Sequence, residues 1–463
     1  MAPVEIHRFR RPNEVPRSHR PYLVKPIEEV RHRTWLKRYK ELMKVAMERR
    51  TSGLQWKRIA IAAAAAYQMS RDALGEPVVI IDLPRFEPVE EPIRSVRDAV
   101  RHVGSIETFV SMYRIGSPED VQLIAFRLAL CTTRNLDDMG FVLKDRNPVP
   151  EKSHRHKFGS IMAFLLYLFR LSGTVTDEGM LGAPFGLEKT RVSRCLNMIG
   201  DWIYKRHAEC LTSYSNLGRV KPQTYQMYKH AMELKYQSIM MQKGYADDAA
   251  TLAEGYEGIA FLVDGTFLDA NRLGEHGDLA HLDAQRWLYD ANHGGHGIGF
   301  IGVQSPSGII LAVDGPWPGR NNDLGMLSLG GFHAAMANAF DAWEDQGLVP
   351  RFLGDGLFQP VERMTRVPTE LDLLNKLATH DQGTTLATLR SGVEHAFLTI
   401  LAKFAYFRLH TKLSLVSGFP GRDYRNAALL VNCVTCVRGS QVTSFYGVVP
   451  PSLELYLDYT KQI

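Results

Sequence analysis

Two apolar runs of strand length each end in an aspartate, and this constrains the fold more than any other feature of the chain. Ile259-Ala-Phe-Leu-Val leads into Asp264-Gly-Thr-Phe, and Val349-Pro-Arg-Phe-Leu-Gly leads into Asp355-Gly. Short apolar runs bounded by turn formers predict buried strands, over Ile259–Val263 and Arg351–Leu353, each presenting a carboxylate at its end. Between them, Gly297–Gln304 and Gly308–Val313 flank Ser305-Pro-Ser-Gly308, which reads as a hairpin with turn residues where a turn needs them. Leu324–Trp343 reads as a helix, with Asp323 as its N-cap or as a further site acid. Asp314, before Gly315-Pro316, reads as a turn residue. Glu394 lies in Leu389-Arg-Ser-Gly-Val-Glu394-His-Ala-Phe-Leu, which reads as the start of a helix running to Tyr406.

The sequence before about residue 256 has a different character. Residues 1–60 hold a proline- and arginine-rich arm followed by the start of a helix over 31–72; proline at that density excludes a long helix in the arm. Residues 61–150 continue helical around a Pro- and Glu-rich linker at 76–97, with helical periodicity from Ser105 to Val142. In 151–215, an apolar helix over Ile161–Leu171 is followed by a turn. A short helix from Asp177, capped by Thr176, comes next, then a second turn at Ala183–Gly186. A longer helix, Leu187–Tyr204, carries Val192, Cys195, Leu196, Ile199, Trp202 and Ile203 on one face and Lys189, Thr190, Ser193, Arg194 and Asn197 on the other. This is the layout of a helix-turn-helix, whose last helix enters the DNA major groove. Arg194 and Asn197 are side chains that read bases, whereas Lys189 and Thr190 suit phosphate. The alternative is an ordinary pair of packed helices. Residues 216–255 read as a helical connector, and 256–463 as the domain bearing the three acids.

Charge is unevenly spread. The chain is +5 overall, but residues 1–58 carry 16 Lys/Arg against 6 Asp/Glu, so the remainder is net acidic. A basic front end on an acidic body fits a polyanionic partner or a nuclear import signal, and otherwise a solvated arm. Five scattered cysteines do not make a disulfide framework. Cys433-Val-Thr-Cys436 lacks the second half of a zinc site and reads as helix packing. No apolar stretch approaches the roughly 20 residues of a membrane helix, and the N-terminus lacks a signal-peptide core. The expectation is a soluble intracellular protein without a membrane partner.

Asp264, Asp355 and Glu394 together suit two hard divalent cations, which take oxygen ligands and as a pair promote in-line phosphoryl transfer. Singly, each is an ordinary surface acid. Arg390, one helical turn before Glu394, could hold a DNA phosphate or form an ion pair. His276, His281, His293 and His296 match no standard zinc spacing. The element order is strand, hairpin, helix, strand, helix. By fold-level analogy it is that of the α/β ribonuclease H-like fold, a mixed sheet flanked by helices, here preceded by an all-α region with the helix-turn-helix.

At these motifs the sequence resembles PIF/Harbinger-type DDE transposases and their domesticated nuclease relatives. Leu262-Val-Asp264-Gly-Thr266 resembles that family's first acidic motif, Leu353-Gly-Asp355-Gly its second, and Arg390-Ser-Gly-Val-Glu394-His-Ala-Phe397 its third. The stretch His296–Asp323, a hairpin followed by Gly-Pro-Trp-Pro-Gly and an Asp, resembles its central block, and Phe185-Gly186 with Val192-Ser193-Arg194 its DNA-binding segment. The likeness spans roughly residues 155–440. It departs at Asp355-Gly-Leu-Phe and at Asn292-His-Gly-Gly-His296, where the family has other polar or basic residues. The resemblance implies a two-metal DDE endonuclease or transposase using Mg²⁺ or Mn²⁺, acting on double-stranded DNA at terminal inverted repeats and at target DNA. It also implies a Myb-like DNA-binding partner protein, a homo-oligomer and action in the nucleus. A domesticated DNA-binding protein without cleavage is the rival expectation.

Overall fold

A computed structural model of the chain describes residues 91–144, 147–148, 158–173, 177–245, 258–271, 285–358, 362–375, 379–408 and 419–463. All lie in one compact unit, Ala63–Ile463. The basic arm, the helix over 31–72, residues 76–90 of the linker, Thr176, His276 and His281 fall outside the described residues.

The end of the expected linker is structured. Ile93 and Val96 are buried, and the Ile93 N–H donates to the Pro184 carbonyl at 3.0 Å. Helix α1 (Val96–Val103) starts on a reciprocal capping box between Ser95 and Asp98 and stops at Gly104, whose φ of 79° is left-handed. Helices α2 (Ile106–Tyr113) and α3 (Pro118–Arg127) follow, so the expected helical stretch from Ser105 ends well before Val142. A small three-stranded sheet of Val142–Lys144, Asn147–Pro148 and Phe158–Gly159 comes next, so the region before the main sheet is not all-α as expected.

Helix α4 (Ser160–Ser172) is buried along nearly its whole length, as its apolar composition requires. Helix α5 (Glu178–Gly182) is capped by Asp177, whose carboxylate accepts from the N–H groups of Gly179 and Met180. Helix α6 (Lys189–Ile203) begins after a tight turn in which a Cβ on Gly182 would lie 2.3 Å from the Leu187 carbonyl oxygen. A 21-residue helix, α7 (Pro222–Gln242), leads to the sheet.

The main sheet comprises β1 (Ile259–Asp269), the short β2 (Tyr289–Asp290), β3 (Gly295–Gln304), β4 (Ile310–Pro318), β5 (Arg351–Gly354) and β6 (Met364–Arg366). Its order is β4-β3-β1-β5-β6, with β2 also on β3. Strand β3 runs antiparallel to β1 on one side and to β4 on the other, and β5 and β6 run parallel to β1. The free edge of β4 is covered. The Asn432 side chain accepts from the Ile310 N–H and donates to its carbonyl, both at 2.8 Å, imitating a neighbouring strand.

Three expectations are corrected here. Asp314 is no turn residue: β4 continues to Pro318, and the Asp314 carboxylate accepts from the Trp317 indole at 2.7 Å with Arg425 at 3.8 Å. The helix expected over Leu324–Trp343 is two helices, α8 (Asp323–Gly330) and α9 (Phe332–Glu344), divided at Gly331 with φ 79°. Glu394 does not start a helix. It lies deep within α11 (His380–Lys403), which follows the short α10 (Glu370–Leu374). The Thr379–Gln382 capping box starts α11 far upstream of its apolar stripe. Helices α12 (Pro420–Arg438), α13 (Gln441–Tyr446) and α14 (Leu453–Leu457) complete the chain, with the CxxC cysteines on α12 and Cys433 buried.

Candidate active site

Register brings the two aspartates together. β1 and β5 are parallel neighbours with Leu262 beside Leu353, and two residues further along each strand stand Asp264 and Asp355. Equal offsets from a paired position put the two carboxylates at the same level of the sheet. The Asp355 carboxylate accepts from the N–H of Gly356 at 2.6 Å.

Glycines set α11 over these strands. A Cβ at Gly392 would lie 2.8 Å from Leu262 Cδ1, and a Cβ at Gly302 would lie 2.4 Å from Phe397 Cζ. Gly302 is the cross-strand partner of Asp264. The helix therefore seats directly beside the first acid, and Tyr446 braces it by donating to the Leu389 carbonyl at 2.6 Å. Seated this way, α11 sends Arg390 and Glu394 toward Asp264. Arg390 Nη1 lies 2.8 Å from Asp264 Oδ2, and Nη2 lies 2.5 Å from Glu394 Oε1.

Asp323 joins from α8 and is not the N-cap. Asn322 takes that role, its side chain accepting from the Gly325 N–H at 2.9 Å. The Asp323 carboxylate instead packs against the backbone beside Asp264, where a Cβ on Gly265 would meet it at 2.3 Å.

Burial raises the Asp264 carboxyl to about 6. Repulsion from Asp323 and Glu394 adds to this, and Arg390 opposes it. Asp323 is raised too, by burial first and then by Asp355 and Asp290, with His293 and Arg390 opposing. Burial and neighbouring acids thus disfavour the charged forms of both Asp264 and Asp323.

Asp290 and His293 are a part of this region that sequence reasoning did not assemble. His293 Nδ1 is 2.7 Å from Asp290 Oδ2, and its ring stacks on Phe267 at 4.6 Å with planes 7° apart. The visible signal was Asp-x-x-His in a turn, with the Asn292 N–H donating to Asp290 at 2.7 Å. His296 faces Tyr289 edge-on. Neither histidine belongs to a zinc set among the described residues.

Four acids offer hard oxygen donors, two of them, Asp264 and Asp323, disfavoured by burial, and so fit a divalent cation in donor chemistry. Among the described residues, however, no three His, Cys, Asp or Glu side chains are drawn together as a ligand set. Asp264 and Glu394 both turn toward Arg390.

On α6, Lys189, Thr190 and Arg194 are exposed, while Ser193 and Asn197 are half-buried. Arg191, missed by the sequence reading, is exposed on the same helix with its guanidinium 5.9 Å from the centre of the Phe158 ring. The far half of α6 is fastened to α12. Arg422 donates to the Asn197 carbonyl at 3.3 Å and pairs with Asp201 at 3.0 Å, and Asn426 donates to the Gly200 carbonyl at 2.9 Å.

No curated protein and no solved structure matches the chain. A family model described as DDE superfamily endonuclease matches residues 264–437, well under half of the sequence. The match opens on Asp264 and takes in Asp323, Asp355, Arg390 and Glu394, and a mixed sheet flanked by helices is consistent with the fold of such a nuclease. For this segment the match supports a DDE transposase-derived endonuclease family.

Proposed function

We propose that the chain is a metal-dependent DNA endonuclease or transposase of the PIF/Harbinger type, with a ribonuclease H-like catalytic domain. One observation carries the reading. Within the matched segment, the pairing of Leu262 with Leu353 sets Asp264 and Asp355 at equal offsets along neighbouring strands, and Arg390 of α11 reaches both Asp264 and Glu394. The strand order, with three antiparallel strands followed by two parallel ones, supports the fold assignment. Asp264, Asp355 and Glu394, with Asp323 as a fourth donor, would hold Mg²⁺ or Mn²⁺. When bound, such ions supply Lewis-acid activation of a water and stabilisation of the leaving 3′ oxygen.

The protein's own groups then have distinct tasks. The strand ends would supply two of the carboxylates and α11 a third. Arg390 offers a guanidinium to a DNA phosphate. On α6, Lys189 and Thr190 would take phosphates, and Ser193, Arg194 and Asn197 would face bases as the last helix of a helix-turn-helix. The donor set calls for no covalent protein–DNA adduct. Action at terminal inverted repeats in the nucleus, as a homo-oligomer beside a Myb-like partner, belongs to the same proposal and rests on the sequence motifs.

A second reading, a DNA binder that does not cut, is favoured by one observation: Arg390 lies where it pairs with both Asp264 and Glu394. One experiment separates the two. The purified chain is incubated with Mg²⁺ or Mn²⁺ and DNA carrying the terminal repeats flanking its own gene, beside Asp355→Asn. Cleavage lost in the variant supports the enzyme; tight binding with no cleavage under either metal supports the binder.

A further inference from the structure

Arg390 is held as a cation inside the acid site. Its side chain is only 17 % exposed and its two terminal nitrogens reach Asp264 and Glu394 at 2.8 and 2.5 Å. Its Nε is buried without a hydrogen-bond partner among the described residues, so the two carboxylates supply the anionic company that keeps the guanidinium there. The backbone of α11 at this point is not free to shift, because Gly392 is pressed against Leu262 and Phe397 against Gly302. Side-chain rotation is the opening this close packing leaves open, and for it Arg390 has a long stem and Glu394 is half exposed.

A guanidinium in this position and a divalent ion are rival cations for the same two carboxylates. The guanidinium takes one oxygen of each carboxylate, Oδ2 of Asp264 and Oε1 of Glu394, and its positive charge repels a divalent ion drawn to the same two groups. Displacement of Arg390 leaves a buried-to-exposed cation in need of an anion, and a DNA phosphate is the anion available at such a site. Metal binding and DNA binding are then linked through one side chain, and such linkage is reciprocal.

We propose that Arg390 is a resident countercation that a divalent ion must displace, so that metal and DNA backbone bind cooperatively through it. The inference rests on the reading of Asp264 and Glu394 as metal ligands. A site that is occupied by its own guanidinium most of the time shows a metal affinity lowered by the fraction of time it is open.

The test uses the full-length chain, freed of metal, with free Mn²⁺ followed by electron paramagnetic resonance. Titrations are run with and without a short duplex of random sequence, on the wild type, Arg390→Met and Arg390→Lys. Without DNA, Arg390→Met is expected to bind Mn²⁺ about ten- to a hundredfold more tightly than the wild type, the range set by a charge-assisted pair of this kind. Arg390→Lys, whose point charge cannot fork between two carboxylates, should fall between them and serves if Arg390→Met does not fold. Duplex DNA should tighten Mn²⁺ binding to the wild type severalfold and leave Arg390→Met unchanged. Equal Mn²⁺ affinity in wild type and variants overturns the displacement mechanism and leaves the metal site standing. Absence of Mn²⁺ binding in all of them overturns the metal site itself, and the mechanism with it.

Discussion

The charge on Asp264 opposes folding of the metal-free protein, and Asp264→Asn should relieve it. Burial and the neighbouring acids raise this carboxyl from 3.8 to about 6 despite the Arg390 pair. A shift of roughly two pKa units corresponds to about 3 kcal/mol between the charged and neutral forms. The sign follows from proton counting. Between pH 3.8 and 6 the folded state holds a proton on Asp264 that the unfolded state has released, so stability falls as pH rises through that window. Above it the full penalty persists. Asparagine keeps the shape and an acceptor for Arg390 Nη1 but carries no charge, so it mimics the protonated acid. In urea unfolding with chelator present, Asp264→Asn should be more stable than the wild type by up to about 3 kcal/mol at pH 8. The gap should close toward pH 4 as the wild-type carboxyl protonates. A variant that is less stable at pH 8, or a gap that does not vary with pH, would refute the account of a buried, charge-crowded acid. Divalent metal should reverse the order at pH 8, because only the carboxylate gains from the ion.

Other consequences are more local. Gly302→Ala puts a methyl 2.4 Å from the Phe397 ring. It should lower stability by about 1–3 kcal/mol in urea unfolding and reduce cleavage by tilting Glu394 away; a neutral effect on both would contradict the seating of α11. Lys189→Ala should weaken DNA binding across all sequences and reduce the salt slope of the affinity by about one. Arg194→Ala should instead reduce discrimination between sequences, and a filter-binding salt series distinguishes the two. Arg422→Met leaves Asp423 without its guanidinium partner at 2.8 Å. It should destabilise by about 3–5 kcal/mol, and the loss should show as early exposure of α6 to amide exchange.

Much of the sheet was legible because its strands announce themselves: short apolar runs, turn formers between them, and acids at their ends. The hairpin around Ser305–Gly308 needed only local chemistry, and β3 and β4 form it. What escaped was decided elsewhere. Asp314 looked like a turn because Gly315-Pro316 follows it, but the edge of β4 is held by Asn432 and by the Thr212 carbonyl, residues about a hundred positions away in either direction. The first half of α11 carries Gly383 and three threonines, with Leu386 and Leu389 its two large apolar residues, so Glu394 looked like a beginning. The Thr379-x-x-Gln382 box was the readable signal of the true start. Asp323 looked like a cap because it precedes an apolar helix, although Asn322 beside it is an equally good capping residue. The Asn322 side chain accepting from the Gly325 N–H and the packing of Asp323 against Gly265 distinguish them. The pairing of Arg390 with Asp264 joins residues 126 positions apart, and no local pattern encodes it.

The fastening of α6 has a consequence for how a substrate would meet the acids. Arg422 and Asn426 bind α6 at Asn197, Gly200 and Asp201, and Tyr167 of α4 donates to Asp423 at 2.9 Å. The same helix α12 grips β4 through Asn432 and packs Tyr424 against Phe300 of β3 at 4.5 Å between ring centres. β3 in turn pairs with β1 at Asp264. Every link in this series is buried or partly buried, so the exposed face of α6 and the carboxylate of Asp264 are held by one packed body rather than by a linker. Duplex bound on Lys189 and Arg194 would then lie at a set offset from the acids, and the position of a cut relative to the bound sequence would be fixed by the fold. Loosening Arg422 should blur that position before it abolishes binding, because α6 keeps its exposed basic face when its inner half comes free.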